Sequence, residues 1–355
     1  MSASKKSEQF PLSEARGLVK DLMKPNPAIY WVDFLFHMIV GWGAFVLALK
    51  APILSVMQGI FYIVAALALY RAVIFTHELA HLKKGTFKFF RLVWNLTCGF
   101  VLMVPSYTYH GVHNDHHKRD VYGTYEDGEY LPFAADAPYK ILTYLTLIFV
   151  LPLLFVCRFV VFAPLSYLSG KLRNALWRRL SSLTIDLGYN RPQPSQGDDP
   201  TWPIQEFMTF LYGATVIALI AKGVLPYQIL VLWYTLMVLA FLLNSLRTLA
   251  AHAYRNPGPD SLTIAEQYLD SVDVPGNFLT ALWAPVGLRY HATHHLFPSM
   301  PYHALGKAHR RLAAELSDNT LYLESNRKSL WHALRTLWAD AKSGKYRQAN
   351  AAPAE

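Results

Sequence analysis

Apolar residues in this chain fall in long unbroken blocks rather than at helical or strand spacing, so the pattern predicts membrane spans before anything else. The run from Pro52 to Phe75 carries a single charge, Arg71. As a helix rising 1.5 Å per residue it covers about 35 Å, enough to cross a bilayer. A shorter block, Phe34 to Leu49, precedes it and joins it through Lys50-Ala51-Pro52, which predicts a helical hairpin. Leu92 to Pro105 is apolar but short for a span, so it reads as a re-entrant or interfacial helix. Ile141 to Leu165 is long enough to cross, yet Pro152 and Arg158 interrupt it, so a kink or an interfacial position is expected. Beyond a proline-rich loop, 190–203, a second hairpin is predicted from Phe207 to Ala221, a Lys222-Gly223 turn, and Leu225 to Leu246. The polar, mixed-charge start has no signal-peptide h-region, so the first span is expected to direct insertion. The chain then divides into an N-terminal cytosolic or interfacial arm (1–29), a membrane core (30–298) and a cytosolic helical tail (299–355). The fold class expected is an all-α integral membrane protein with four main transmembrane helices in two hairpins, plus interfacial helices.

Composition strengthens that reading. Of 355 residues, 53% are hydrophobic and 16% charged, against about 25% charged in a soluble domain, which excludes a disordered chain. Two cysteines, Cys98 and Cys157, exclude a disulfide scaffold; both lie in apolar stretches and read as small core residues. The two tight turns hold only Lys50 and Lys222, whereas the other connections carry Lys83, Lys84, Lys88, Arg91, Lys118, Arg119, Arg173, Arg178, Arg179 and Arg255. The positive-inside rule puts those connections in the cytoplasm. A net charge of +9 then reflects attraction to anionic lipid, with docking of an acidic protein as a second use. No basic cluster is interleaved with exposed aromatics, so nucleic acid is not an expected partner.

The histidines carry the chemistry. His77-Glu78-Leu79-Ala80-His81 closes the second span, and on a helix positions i and i+4 share a face, so both rings can reach one metal. His113-Asn114-Asp115-His116-His117 places imidazoles at i, i+3 and i+4, and His291-Ala292-Thr293-His294-His295 repeats that spacing. His252, just beyond the last span, is a ninth candidate. All nine fall on the side that the charges assign to the cytoplasm. A single HExxH motif also occurs in zinc hydrolases with the glutamate as base, so an intramembrane zinc protease is the competing reading. One zinc needs only three protein ligands, and two further clusters argue against it. His110 reads as supporting the ligands rather than joining them. His37, His303, His309 and His332 have no partner at ligand spacing and read as structural or exposed. By ligand softness alone an all-imidazole set suits Fe, Zn, Cu or Ni.

The three boxes HELAH, HNDHH and HATHH, the last continuing as His295-Leu296-Phe297-Pro298, resemble the membrane fatty-acid desaturase and hydroxylase superfamily over roughly residues 30 to 310. The resemblance implies a cytosolic helical cap holding a histidine-rich di-iron site, two Fe ions activated by O2 and electrons. By it His77, His81, His113, His116, His117, His252, His291, His294 and His295 would be the ligands. Members also carry a polar residue near the ninth histidine; Asn244 and Asn256 are the candidates, neither at the expected spacing. Supporting acids are sought in Glu78, Asp115, Asp270 and Asp273, the last two reading first as solvated surface acids. Iron suits the chemistry, because an unactivated methylene has no accessible pKa and must lose a hydrogen atom instead.

A membrane core implies a lipophilic substrate, a fatty acid or fatty acyl chain. The chain has no HPGG haem segment, iron–sulfur cysteine pattern or GxGxxG fingerprint, so electrons are expected from a separate ferredoxin, rubredoxin or cytochrome b5 type carrier. The leading expectation is desaturation of an acyl chain. The runs 243–252 and 284–312 also look like a compact bacterial branch that decarboxylates free medium-chain fatty acids to terminal 1-alkenes. Such a reaction needs a carboxylate anchor, for which Arg247 and Arg289 are candidates. Hydroxylation of an alkyl or lipid chain is the third reading. A bacterial inner membrane is the expected location.

Overall fold

The computed structural model describes residues 10–347 except 84, 88, 195–197 and 259. Lys84 and Lys88, two of the cations used above for orientation, lie outside the described residues. Helices dominate, and among the described residues β-structure is confined to isolated bridges. Among the described residues four helices are long and apolar enough to cross a membrane: Pro27–Lys50, Val56–His81, Trp202–Ala221 and Gln228–Leu249. A bent pair, Tyr139–Phe149 with Leu151–Ser166, makes a fifth if counted as one span. The chain forms two compact units, one of Pro27–His113 and Thr146–Leu243, the other of Met1–Asn26, Asn114–Leu145 and Asn244–Glu355.

In the first unit, Pro27–Lys50 and Val56–His81 pack along each other. Gly41 permits the approach, since a Cβ there would stand 2.6 Å from Leu69 Cγ. Ser55 caps the second helix by accepting from the Gln58 N–H at 3.1 Å, and the Gln58 side chain donates back to Ala48 O at 3.1 Å, closing the turn. That helix is longer than its apolar run. It continues through Thr76 and the first histidine box, so His77 and His81 are carried on a span's own rigid end. Large apolar side chains such as Val32, Phe36, Ile39, Ile60 and Ile63 point outward and are exposed, as a lipid-facing surface requires.

Charges inside this unit are paired. Arg71, the one charge in the second span's apolar run, donates two bonds to Asp33 at 2.8 and 2.5 Å. Arg158 does not break the fifth apolar segment as a surface charge would. The backbone bends by 51° ahead of Pro152, and a π-helical turn, Cys157–Phe162, then turns Arg158 inward. There its guanidinium meets Glu206 at 2.5 Å, Leu180 O at 2.7 Å and the Tyr107 hydroxyl at 3.2 Å, and Arg173 also binds Glu206. The same turn leaves Cys157 exposed, contrary to its reading as a core residue, while Cys98 is buried as expected. Trp202–Ala221 packs on this turn, where a Cβ on Gly213 would meet Met103 Cε at 2.4 Å and Val160 Cγ2 at 2.8 Å. Gln228–Leu249 is fastened by Trp233 donating to Val101 O at 3.1 Å and by Phe241 against Phe155.

The second unit has its own apolar core. Phe10, Ala15, Val19 and Leu22 from the N-terminal helix Leu12–Val19 and its flanks pack with Tyr268, Ala292, Leu296, Leu305, Leu312 and Tyr322. Arg311 closes this contact, donating to Leu18 O at 2.6 Å and to Asp21 at 2.5 Å. Segments far apart in sequence therefore share one core, and the compact units do not follow chain order. Bridges between His252 and Ser271, and from Asp273 to Tyr290 and Asn326, tie the loops that carry the ninth histidine and the third box.

Removing Glu206 while keeping Arg158 should cost about 3–5 kcal/mol, because a guanidinium that is 2% exposed would lose its counter-charge. Thermal unfolding in detergent should place Glu206→Ala well below the parent, and Glu206→Leu combined with Arg158→Met should recover part of the loss. Equal stability of Glu206→Ala and the parent would contradict the buried pair.

Candidate metal centre

Two sets of imidazoles form within the units. In the first unit the helix Val56–His81 supplies His77 and His81, and Tyr107–His116 supplies His113. The three offer ligand nitrogens within 4.8 Å of one another, and His113 Nε2 lies 2.9 Å from His81 Nε2. In the second unit His116, His252, His291 and His295 form a fully buried set within the same limit. There His291 Nε2 lies 2.9 Å from His252 Nε2 and 3.1 Å from His295 Nε2. His117 and His294 of that unit also meet through Nε2, at 3.1 Å. Among the described residues no carboxylate or thiol joins either set.

These spacings test whether a metal fits. Metal–nitrogen bonds of about 2.1 Å separate cis nitrogens by about 3.0 Å at right angles and by about 3.4 Å at the tetrahedral angle. The four separations, 2.9 to 3.1 Å, are short enough for the paired nitrogens to share one metal ion. A shared proton can satisfy one imidazole pair, but not four convergent nitrogens. A cation can, and an all-imidazole donor set suits a transition metal such as Fe, Zn, Cu or Ni.

The rear nitrogens decide which face is free to ligate. His116 Nδ1 sits 2.8 Å from Asp127, whose carboxylate also accepts from the backbone N–H groups of Gly123 and Glu129, each at 2.9 Å. A carboxylate can only accept, so Nδ1 carries a proton; against the effect of burial Asp127 raises the His116 pKa, and in the neutral ring this tautomer leaves Nε2 as the ligating nitrogen. His252 reaches the same state through two hydroxyls. Tyr122 Oη lies 2.9 Å and Ser271 Oγ 3.2 Å from His252 Nδ1, and their own hydrogens go to Asp270 and to Gln267 O. The Nδ1–H must therefore donate, leaving Nε2 unprotonated. Burial, aided by repulsion from neighbouring imidazoles, also holds the pKa values of His252 and His295 well below the ordinary value. Neutral rings are what ligation needs. Behind His113, Tyr109 Oη stands 2.9 Å from Nδ1 and its ring stacks on the imidazole.

The supporting acids differ in place. Glu78 is buried and accepts from the Tyr30 hydroxyl, with one oxygen 3.6 Å from His77 Nδ1. Asp115 pairs with Lys118 at 2.6 Å on the partly exposed rim and contacts no imidazole. Asp270 and Asp273 are not the solvated acids their segment implied, because both are buried. Asp270 accepts from Tyr130 at 2.7 Å and Tyr122 at 3.2 Å, and burial raises its pKa. Asp273 accepts from the backbone and side chain of Thr293, between the histidines of the third box, and touches His309 Nδ1 at 3.1 Å. His309 is thus a buried support, whereas His303 accepts from the Asn26 N–H and His332 lies at the surface. His37 pairs with Asp33 within the first span.

His110 belongs to neither imidazole set; burial and nearby Arg91 lower its pKa to about 4. Asn244 accepts from Arg247, which also donates to Thr248. Asn256 donates to Gly123 O and Asp260 O, so it braces the loop carrying Asp127. Arg289 stacks on Tyr290 and donates to Asn277 O. Sequence reasoning passed over Asp127, Tyr109, Tyr122 and Thr293. Asp127 sits in VYGTYEDGEY among other acids, and no spacing rule separates it from Glu126 or Glu129.

With this geometry in hand, comparison with known proteins assigns the class. The family model described as fatty acid desaturase matches residues 54–326, and the chain belongs to that family of membrane desaturases and hydroxylases. It is also 41% identical over 326 residues to a protein named ceramide hydroxylase from Caulobacter vibrioides (strain NA1000 / CB15N), covering 92% of each chain. No solved structure matches.

Asp127→Asn should weaken metal binding about 10- to 100-fold by removing the acceptor that fixes the His116 tautomer. Metal titration of the purified protein reads this directly, and unchanged affinity would separate Asp127 from the site. His116→Ala and His294→Ala should abolish turnover and lower bound iron while membrane insertion persists; full turnover by either would remove it from the ligand set.

Proposed function

We propose that this protein is an O2-dependent di-iron membrane oxygenase that hydroxylates a ceramide-type lipid. In this reading His77, His81, His113, His116, His117, His252, His291, His294 and His295 are the iron ligands, with His116, His252, His291 and His295 forming one buried set. The irons would supply O2 activation and hydrogen-atom abstraction from an unactivated C–H bond. One oxygen atom enters that bond and the other leaves as water, with two electrons and two protons delivered from outside by a separate ferredoxin, rubredoxin or cytochrome b5 type carrier. The protein's own part is to aim bare Nε2 lone pairs inward, through Asp127 behind His116 and the Tyr122–Asp270 pair behind His252. The four-span arrangement in two hairpins, with the boxes on the cytoplasmic face of a bacterial inner membrane, remains the reading of the charge pattern.

The observation that carries hydroxylation over desaturation is the near full-length similarity to a protein named as a ceramide hydroxylase. Desaturation shares the first hydrogen abstraction and is favoured by the name of the family model, so it is the second reading. Decarboxylation is the third reading: of its two candidate carboxylate anchors Arg247 is engaged with its own helix through Asn244 and Thr248, whereas Arg289 keeps donors free.

Cells expressing the chain, fed deuterated ceramide under 18O2 and examined by lipid mass spectrometry, should yield a ceramide one 18O atom heavier. Loss of two hydrogens without oxygen would replace hydroxylation by desaturation. If ceramide is untouched and a fed free acid gives a terminal alkene one carbon shorter, the enzyme is a decarboxylase.

A further inference from the structure

A surface groove of about 670 Å³ lies in the second unit, lined by the turn Gly276 to Phe278 and by Arg289, His309 and Arg310. No carboxylate lines it. The buried arginines of the fold are matched with acids, Arg158 with Glu206 and Arg191 with Asp198. Arg289 and Arg310 have no carboxylate within ion-pair distance among the described residues. Arg289 is held in place by stacking on Tyr290 at 4.9 Å and by one bond from Nη1 to Asn277 O at 3.1 Å, which leaves most of its five N–H donors uncommitted.

The turn beside these cations is built to hold apolar side chains outward. Gly276 takes φ +48, Asn277 N–H donates to Thr280 Oγ1 at 3.3 Å, and the Asn277 side chain accepts from the Leu279 N–H at 2.9 Å. Phe278 is 76% exposed, Leu279 51% and Leu282 45%. Large apolar side chains beside unpaired guanidiniums, in a chain with four spans, form the pattern of an interfacial segment: apolar groups enter the acyl region and arginines take phosphate oxygens.

We propose that this groove binds the phosphate of an anionic membrane phospholipid, with Arg289 and Arg310 on the phosphate oxygens and Phe278, Leu279 and Leu282 in the adjoining acyl layer. The charge sets the occupant. A ceramide has no anionic group, so this is a site for bulk lipid, and it does not rest on the catalytic reading.

The test uses the full-length protein, delipidated in neutral detergent and titrated with phosphatidylglycerol, phosphatidylcholine or inorganic phosphate. Bound lipid is counted by native mass spectrometry, and metal content is measured in parallel. Phosphatidylglycerol should be retained in preference to phosphatidylcholine, and Arg310→Gln should weaken retention about fivefold, Arg289→Gln with Arg310→Gln about 25-fold. Arg310 is exposed on the helix Tyr302–Glu315, so its variant should keep fold and metal content even if Arg289→Gln does not. Undiminished phosphatidylglycerol binding by Arg310→Gln overturns the proposal. Binding of inorganic phosphate as strong as that of the lipid overturns it in favour of a soluble-anion site.

Discussion

Buried imidazoles can share a metal only if each is neutral and aimed, and that constraint organises the histidine-rich unit. A protonated ring would repel its neighbours, and a neutral ring of the wrong tautomer would point an N–H where a lone pair is needed. Burial addresses the first problem for His252 and His295. The second is met from behind, by Asp127 at His116 and by the Tyr122 and Ser271 oxygens at His252. Those anchors are themselves committed: Asp127 by two backbone N–H groups, Tyr122 by Asp270, Ser271 by Gln267 O. Each layer removes a rotational choice from the layer in front of it, so aim is achieved without a carboxylate in either imidazole set.

The span unit meets the related problem of charge in an apolar surrounding. Glu206 is fully buried on a span and would be costly alone, but Arg158 and Arg173 both bind it. Asp33 and Arg71 make the same kind of pair across the first two spans. The Arg71–Asp33 contact is two-pronged, and Arg158 and Arg173 each take one oxygen of Glu206, so charge pairing holds neighbouring helices in register where apolar packing against lipid does so weakly. A rigid second span matters for function because its last turns carry His77 and His81.

Hydroxylation and desaturation begin with the same hydrogen abstraction and diverge afterwards, in whether oxygen returns to carbon or a second hydrogen leaves. The ligand set is common to both. The choice therefore lies in how the substrate's next C–H bond is held, a feature of the acyl path rather than of the boxes.

Much of this was legible in the chain. Block hydrophobicity located the four helices long and apolar enough to cross a membrane, and the spacing within HELAH, HNDHH and HATHH singled out eight of the nine imidazoles that gather in the fold, because helical geometry makes i, i+3 and i+4 neighbours whatever surrounds them. His252 was found only through its place after a span. Local sequence could not reveal Asp127, Tyr122 or the burial of Asp270 and Asp273. Their partners lie 11, 130, 140 and 20 residues away, and no periodicity links such distances. Nor could it foresee that Arg158 turns inward while Cys157 faces out, which a π-helical turn decides. The sequence by itself determined which side chains could bind metal and which segments belong in lipid, since both follow from residue type and spacing. The tertiary structure decided which nitrogen of each ring is bare and which charges are paired, because those depend on contacts that folding brings together.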